Sequence, residues 1–471
     1  MIELRKVLIA SAAAATCVAG WPLTARAEQP NEMVNQAQHQ STGPGEQARP
    51  DERELDQRQR ELQSRVEELE RQLRELTEKM SQTPAPARTA PAAAAVDGPG
   101  LQVKPITPNA APGTRFLYSG FIKLDALWSD YRDGEIADGS IGRDFYLPST
   151  IPIGGASEGV DLDAHVKQSR FIFGTDTDLA GGGAVSTRLE VDLYGSSLGD
   201  ERATNTYGVQ LRHAYVQYRQ WLIGQTWSNF MDAAALPESA DFIGPTDGTV
   251  FVRQPMVRYT LGNWSFSAEN PETTISPFGG GARIASDDNN IPDLTATYTW
   301  KRGNGHLRAA ALLRQLKYET IGATPIDDAT EGAALSLSGK LNFGPHDLRF
   351  AVTAGEGIGR YVGVNFNNDA VLTAAGRLEV ISGWGAFAAW RHVWNDRVRS
   401  TLMVSTSEYD NDVSLTGTAV NKSSWSGAIN TFYAPAAKLE LGVELRFAER
   451  EIESGASGSM RRLHAIAKYS F

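Results

Sequence analysis

The stretch at residues 438–447 reads KLELGVELRF and alternates along its whole length between two kinds of side chain. The odd-numbered positions are all apolar, namely Leu439, Leu441, Val443, Leu445 and Phe447. The positions between them are polar or glycine, namely Lys438, Glu440, Gly442, Glu444 and Arg446. Because successive side chains of a β-strand point to opposite faces, this spacing predicts a strand with one apolar and one hydrated face.

The same period recurs between residues 115 and 471, for example at residues 116–128, 294–300 and 461–471. Alternating strands can also build a soluble sandwich with one wet face. A membrane barrel is favoured because the strands are about ten residues long, the length that spans a bilayer when tilted. Aromatic residues also stand at strand ends, as in the girdles of membrane barrels, at Trp128, Tyr218, Trp300, Trp390, Trp394 and Tyr433.

The connections between these strands alternate between short turns and long loops. Bacterial outer-membrane barrels have this arrangement, with short periplasmic turns and long external loops. This alternation gives a count of about sixteen strands. In this count, residues 377–394 are predicted to form one long strand with a bulge at Ser382-Gly383. We therefore predict an all-β fold, a transmembrane antiparallel β-barrel over residues 115–471 that is wide enough for an aqueous channel.

Residues 1–27 have the pattern of a secretory signal peptide. Arg5 and Lys6 precede an apolar run, and Ala25-Arg26-Ala27 fits the cleavage pattern. The single cysteine, Cys17, lies within this segment, so the mature chain is predicted to contain no disulfide. Together with the barrel, this segment predicts that the protein is in the outer membrane of a bacterial cell.

Residues 51–80 carry apolar side chains at heptad spacing and charges on the remaining faces. The core positions are Leu55, Gln59, Leu62, Val66, Leu69, Leu73, Leu76 and Met80. This pattern predicts an N-terminal, periplasmic coiled-coil helix, and the alternative is a single solvated helix. Residues 28–50 are polar and predicted to be disordered, and residues 81–114 form a linker rich in proline and alanine.

Composition excludes several classes of function. The net charge of −11 argues against a nucleic-acid partner. After the N-terminus no run of about 18 apolar residues occurs, so membrane-spanning helices are excluded. The seven histidines show no metal-ligand spacing, and we expect neither a metal site nor a cofactor.

The connection at residues 228–255 is the third long external loop by this count. Long connections without clear elements are commonly functional, and the third loop of general porins commonly folds into the barrel. Arg253 lies at its end, and Arg258 follows on the next strand between Val257 and Tyr259, which are predicted to face lipid. We expect Arg253 and Arg258 to line the narrowest part of a pore.

Charged side chains on the other strands mark the inner face, because an arginine in hydrocarbon costs about 2–4 kcal/mol at mid-depth. The alternation of side chains between the two faces of each strand predicts further basic residues in the lumen, namely Lys123, Arg170, Arg188, Arg349, Arg399 and Arg446. It predicts acidic ones as well, namely Asp125, Glu190, Asp192, Glu269, Glu440 and Glu444. For most of these residues the alternative to solute binding is cross-strand pairing in a hydrated lumen. The alternation does not decide whether three more arginines face the lumen or the lipid, namely Arg308, Arg314 and Arg391.

The order of several short motifs resembles the DcaP-like family of outer-membrane porins. The matching stretches are LRHAYVQY (211–218), GQTWSNFMD (224–232), RQPMVRYT (253–260), SFSAENPE (265–272) and AFAAWRHVWNDRVRSTL (386–402). The resemblance implies a homotrimer, a periplasmic coiled coil, and passive diffusion of small anionic solutes such as dicarboxylates. It also implies contact with outer-membrane lipid and lipopolysaccharide. Phe471 resembles the C-terminal signature by which the barrel-assembly machinery recognises such barrels.

Three other functions remain open at this point. A phosphate or polyphosphate porin would use the same arginines. A structural tether would engage the cell wall or a partner through the coiled coil, with the barrel as its anchor. An outer-membrane barrel enzyme would need a nucleophile and a base on neighbouring strand ends, and none stands out, so no enzymatic activity is expected.

Overall fold

The computed structural model describes residue 71 and residues 113–195, 207–322 and 324–471. The predicted signal peptide and disordered segment, and almost all of the coiled coil and linker, lie outside these described residues. Arg71, within the predicted coiled coil, is helical. The boundaries of these N-terminal segments therefore stay predictions.

Strands make up most of the described chain. In chain order they are β1 (Thr114–Tyr131), β2 (Val160–His165), β3 (Arg170–Asp178), β4 (Ala184–Gly195), β5 (Gly208–Tyr218), β6 (Trp221–Trp227), β7 (Arg253–Leu261), β8 (Trp264–Glu269), β9 (Thr273–Ser276), β10 (Ile284–Ser286), β11 (Asp293–Arg302), β12 (Gly305–Glu319), β13 (Asp327–Phe343), β14 (His346–Glu356), β15 (Ala370–Leu372), β16 (Leu378–Val380), β17 (Ser382–Val393), β18 (Val398–Asp410), β19 (Asn421–Ala436), β20 (Leu439–Ile452) and β21 (Ser457–Ser470). Two short helices, α1 (Ile141–Asp144) and α2 (Val413–Thr416), lie in loops. None of the described helices is long and apolar enough to cross a membrane.

Seventeen of these strands form one sheet that closes on itself. β21 pairs with one edge of β1, from Phe121↔Ser470 to Tyr131↔Met460. β2 and β3 share the other edge of β1 and together act as one interrupted barrel strand. The closed barrel therefore has sixteen antiparallel strands, and the predicted fold class is confirmed. Closure leaves no strand edge unpaired, which a sheet in lipid requires.

The prediction of one long strand at 377–394 is wrong, and so is the bulge at Ser382-Gly383. β17 begins only at Ser382, whereas β16 pairs with β15 in a separate sheet that is not part of the barrel wall. Between β16 and β17, Ile381 is buried in an apolar cluster formed largely by loops. The pattern misled the prediction because side chains buried in a loop core must be apolar just as lipid-facing ones must.

The two faces of the barrel differ as the alternation predicts. On β1, Ile122 and Leu124 point outward and keep 47% and 49% of their surface exposed. Lys123 and Asp125 point inward and are buried. The outer face is therefore the apolar, lipid-facing one, and polar side chains of the inner face are covered by protein inside the barrel.

Aromatic side chains gather on the outer face near the short turns. The rings of Trp221 and Tyr259 lie 4.7 Å apart, and Tyr298 lies 4.8 Å from Trp264 and 4.7 Å from Trp300. Tyrosine and tryptophan favour the membrane–water interface because each ring is amphipathic. This belt marks the turn end of the barrel as one membrane interface.

Loops fill part of the barrel interior. The loop after β8 contributes β9 and β10, and the loop after β14 contributes β15 and β16, to a separate four-stranded sheet. Phe230, Ile358 and Tyr361 come from loops and pack with Leu312 and Ala334, which point inward from β12 and β13. This part of the lumen therefore holds an apolar core.

Candidate functional site

Residues 228–252, which connect β6 to β7, follow the inner wall of the barrel, and we call them the inner loop. The loop starts against β8, β11 and β12. The backbone N–H of Asn229 donates to Glu269 Oε1 at 2.7 Å, and its Nδ2 donates to Thr295 Oγ1 at 2.9 Å. Arg308 Nη2 donates to the carbonyl of Asn229 at 2.6 Å. These bonds fix the point where the chain turns into the lumen.

The next contacts follow the wall from β12 to β14. Asp232 Oδ2 lies 2.8 Å from His306 Nε2 and accepts a hydrogen bond from Ser338 Oγ at 2.9 Å. The carbonyl of Leu236 accepts a hydrogen bond from the Arg349 guanidinium. The loop is therefore held to the wall by charged groups at both ends of this segment.

The loop then reaches β18, β20 and β1. Glu238 Oε2 accepts a hydrogen bond from Arg399 Nε at 2.7 Å. The backbone N–H of Ala240 donates to Glu444 Oε2 at 3.0 Å, and its carbonyl accepts from Lys123 Nζ at 2.6 Å. Hydrogen bonds to charged groups are roughly twice as strong as neutral ones, so these contacts anchor the middle of the loop.

On its way back the loop buries two further carboxylates. Asp241 accepts a hydrogen bond from the backbone N–H of Tyr146 at 2.7 Å. Asp247 accepts from Tyr146 Oη at 2.6 Å and from Ser426 Oγ at 2.5 Å. Burial raises the pKa of Asp247 above its usual value, and the hydrogen bonds from Ser426 and Tyr146 offset only part of that rise.

Each acidic side chain of the inner loop is therefore engaged with the wall from β12 to β19 or with the loop after β1. These side chains are Asp232, Glu238, Asp241 and Asp247. Among the described residues, none of them forms an ion pair or hydrogen bond with a basic side chain of β3 to β7. The polar contacts of the loop do not reach that part of the wall, where its Phe242 ring packs against Arg212 instead.

Four arginines lie on this part of the wall around two carboxylates. We call them the arginine wall, and they are Arg170, Arg188, Arg212 and Arg253. Glu190 takes contacts from three of them, at 3.3 Å from Arg170, 2.5 Å from Arg188 and 3.0 Å from Arg212. Asp192 pairs with Arg212 at 2.6 Å. Two carboxylates cannot neutralise four guanidinium groups, so the wall keeps an excess of positive charge.

Arg253 is the member of this wall without a counter-ion. Its guanidinium carbon lies 5.0 Å over the ring of Trp227, the residue opposite it in the strand register. Its Nη1 is buried and makes no hydrogen bond within the described structure. Arg212 and Arg170 act on it electrostatically, and so do the carboxylates of Asp192 and Glu190. A buried donor that is left without a hydrogen bond is a place where an anion would be stabilised.

Arg258, the second residue predicted at the narrowest point, lies apart from the arginine wall. Its side chain makes no ion pair or hydrogen bond within the described residues, and its charged neighbours are Glu269 and Arg308. The structure therefore separates the two predicted arginines. Arg253 joins Arg170 and the wall, and Arg258 sits beside the start of the inner loop.

The other predicted basic residues of the lumen are paired with acids beside or beneath the inner loop. The pairs are Lys123 with Asp125, Arg349 with Asp347, Arg399 with Glu238 and Arg446 with Glu444. In contrast, the side chain of Arg188 keeps 42% of its surface exposed. Within the predicted set, Arg170 and Arg188 share Glu190 with Arg212, and Arg253 forms no ion pair among the described residues.

Arg212 was missed by the sequence reasoning. β5 has a register irregularity opposite Glu190 and Val191, so Arg212 and its neighbour His213 both point inward and are buried. Strict alternation can place only one of two adjacent residues inside. The available signal was the polar pair Arg212-His213 between apolar Leu211 and Ala214, which a bulge explains.

The comparisons with known proteins agree with this architecture. The sequence model described as DcaP outer membrane protein matches residues 104–471. Among solved structures, the outer membrane channel DcaP of Acinetobacter baumannii is 24% identical, with a TM-score of 0.62 over 77% of this chain and 99% of that one.

More distant similarity reaches other solved barrels. OmpT of Vibrio cholerae is 12% identical, with a TM-score of 0.48 over 77% of this chain and 99% of that chain. OmpF of Salmonella typhi in complex with daunomycin is 12% identical, with a TM-score of 0.48 over 76% of this chain and 98% of that chain. No curated protein sequence matches the chain. The family match covers most of the sequence, and the chain therefore belongs to the DcaP outer membrane protein family, a family of outer-membrane channels.

Proposed function

We propose that this porin passes small hydrophilic anions, such as dicarboxylates, by passive diffusion along the arginine wall. The observation that carries the proposal is the division of charge inside the barrel. The acids of the inner loop are bonded to other parts of the wall, while four arginines on β3 to β7 surround only two carboxylates. A cleft with an excess of one sign of charge concentrates ions of the other sign.

The two kinds of arginine on the wall suit successive steps of permeation. Arg188 is exposed and paired with Glu190, so it attracts an anion while holding it weakly. Arg253 forms no ion pair among the described residues and its Nη1 has no hydrogen bond, so this free donor offsets part of the hydration that the anion loses. Conduction requires sites that are favourable enough to enter and weak enough to leave, and shared carboxylates keep the field of the wall moderate.

The test is the reversal potential of the purified protein in planar bilayers under a potassium chloride gradient. We expect anion selectivity for the natural protein and a shift toward cation selectivity for Arg170→Gln combined with Arg253→Gln. The matched control is Arg397→Gln, which removes an exposed positive charge from the turn between β17 and β18. Cation selectivity of the natural protein, or equal reversal potentials for all three proteins, would refute the proposal.

Phosphate is the second candidate solute, because guanidinium groups bind phosphate oxygens in a bidentate way. Only Arg212 among the wall residues is fixed by two separate carboxylates, so the others are available to a phosphate. Adding phosphate, tripolyphosphate or succinate to chloride currents separates the two classes. Block by phosphates at lower concentrations than succinate would assign a phosphate porin, and the reverse order favours carboxylates.

A further inference from the structure

A second group of basic side chains lies inside the barrel near its short turns, and we call it the turn-end cluster. Its members are Lys340 of β13, Arg349 of β14 and Arg391 of β17. They surround the buried carboxylate of Asp347. Arg349 Nε and Arg391 Nη2 each lie 2.7 Å from an oxygen of this carboxylate, and Lys340 Nζ lies 3.7 Å from one. Three positive charges thus share one negative charge.

The strand register places the cluster on the inner face of the barrel. Arg349 is opposite Lys340, and Asp347 is opposite Arg391. Trp390, next to Arg391 on β17, points outward and is exposed. The cluster lies beside the short turns, since Asp347 is near the start of β14 and Arg391 is near the end of β17. Such turns are periplasmic in outer-membrane barrels, so the cluster lies at the periplasmic end of the lumen.

Two members of the turn-end cluster are in contact with water. The side chains of Lys340 and Arg391 keep 28% and 27% of their surface exposed, whereas Asp347 is completely buried. The Lys340 ammonium is beyond hydrogen-bonding distance of Asp347 and makes no hydrogen bond within the described residues. Because both side chains point inward, their exposed surface faces the lumen, where a solute can reach it.

The surrounding groups do not cancel the charge of the cluster. Arg349 also donates to the carbonyl of Leu236 in the inner loop, which fixes its position without adding a counter-ion. Asp232, the acid of the inner loop beside β12 and β13, lies 2.8 Å from His306 Nε2 and also attracts Arg308. Three basic groups around one carboxylate therefore leave a net charge of +2, which matches a solute with two negative charges.

We propose that the turn-end cluster is a second anion-binding site of the channel and that it prefers small dianions over monoanions. This inference rests on the proposed function, because the solute arrives along the arginine wall. Arg253 begins β7 at the end away from its short turn, so an anion from the loop side passes Arg253 before it reaches the cluster. A second site beyond the first helps the anion to leave the first one. Since the cluster is partly hydrated, a second charge on the solute should strengthen binding about fivefold, the factor for one charge pair at about 4 Å in water.

The experiment compares succinate with butyrate, which have the same number of carbon atoms but carry two charges and one charge at about neutral pH. Each is added to chloride currents through the full-length protein in planar bilayers, and the half-blocking concentration is measured. We expect that of succinate to be about fivefold lower than that of butyrate. Lys340→Gln combined with Arg391→Gln should reduce this ratio by about twofold or more. Asp347 keeps Arg349 as its partner in this variant, so no buried charge is left alone.

The matched control is Lys301→Gln combined with Arg302→Gln, which removes two exposed positive charges from the turn end of β11. It should leave the ratio between succinate and butyrate unchanged. Asp347→Asn tests the cluster in the opposite direction, because it raises the excess charge without removing a basic group, and it should lower the half-blocking concentration of succinate.

Three outcomes would overturn this inference and leave anion selectivity standing. The first is an equal ratio in the natural protein and in the variant of Lys340 and Arg391. The second is an equal loss of the ratio in this variant and in the control. The third is weaker block by succinate in Asp347→Asn than in the natural protein, since the cluster would then only pair charges. Cation selectivity of the natural protein would instead refute the proposed function itself.

Discussion

Asp247 is a carboxylate held away from water in the inner loop, and burial raises its pKa. A carboxyl group with a raised pKa in the folded state stabilises the fold below its unfolded pKa of about 3.9. That contribution is lost as the pH rises through the folded pKa. The ionised form at neutral pH is therefore the less favourable one for the packed loop.

We predict that Asp247→Asn stabilises the packed loop at neutral pH, because it removes the buried charge and keeps an acceptor for Tyr146. The gain should shrink as the pH falls and the natural carboxyl becomes protonated. Asp247→Ala should instead lower the stability of the packed loop by about 1–3 kcal/mol, because the hydroxyls of Tyr146 and Ser426 are left without a hydrogen-bond acceptor. Hydrogen exchange of inner-loop amides, measured for both variants at two pH values, reports these changes in stability. Equal protection of the amides in the natural protein and the Asn variant at every pH would contradict the prediction.

The contrast between Arg258 and Arg212 shows what single residues reveal in a sequence. Arg258 stands between apolar neighbours in a strict alternation, so its inward direction was predictable from the cost of placing it in lipid. Arg212 sits at a register irregularity, where the local backbone overrides parity. Its carboxylate partners lie about twenty positions away in the sequence, and nothing local in the sequence indicates them.

At the scale of elements, the inner loop is shaped by the ion pairs that hold its middle segment. Arg399 of β18 binds both Glu238 of the loop and Glu440 of β20. The side chains of Arg399 and Glu238 are 18% and 25% exposed, so the pair is only partly hydrated. This ion-pair cluster holds the middle of the loop against β18 and β20.

We predict that Glu238→Ala loosens the loop between its contacts with Arg349 and Lys123, because Arg399 keeps Glu440 as its partner and releases the loop. Single-channel recordings should then show larger mean conductance and more current noise. Glu379→Ala removes an exposed acid from β16 and serves as the control. Conductance and noise equal to those of the natural protein in both variants would show that the pair has no effect on the pore.

Alternation predicted the barrel strands because lipid imposes the same demand on every second residue. It could not distinguish β16, whose apolar side chains are buried in a loop core. It also gave no sign that Ala310 and Leu312, which point into the lumen, would be covered by Tyr361 and its neighbours. The lumen of a channel is expected to be polar. The inward-facing apolar side chains are explained only by the loops that pack against them.

At the scale of the whole molecule, the heptads at residues 51–80 are the feature that the barrel does not explain. We predict that the natural protein is a trimer held in part by this coiled coil, as the family resemblance implies. Deleting residues 51–80 should reduce the fraction of trimers on semi-native gels and leave the conductance of each barrel unchanged. Trimers that persist while the cell envelope becomes fragile would instead favour a tether to the cell wall.

The seam between β1 and β21 has a consequence for the order of assembly. Gly120 and Phe471 exchange backbone hydrogen bonds, at 3.0 Å from the Phe471 N–H and 3.4 Å from the Gly120 N–H. The Phe471 ring then lies 5.3 Å from Tyr118 on the neighbouring strand. Any factor that binds the unpaired edge of β21 during insertion competes with β1 for the backbone groups of Phe471. Pairing of β1 with β21 would therefore displace such a factor, and closure of the barrel would be the step that releases the chain from it.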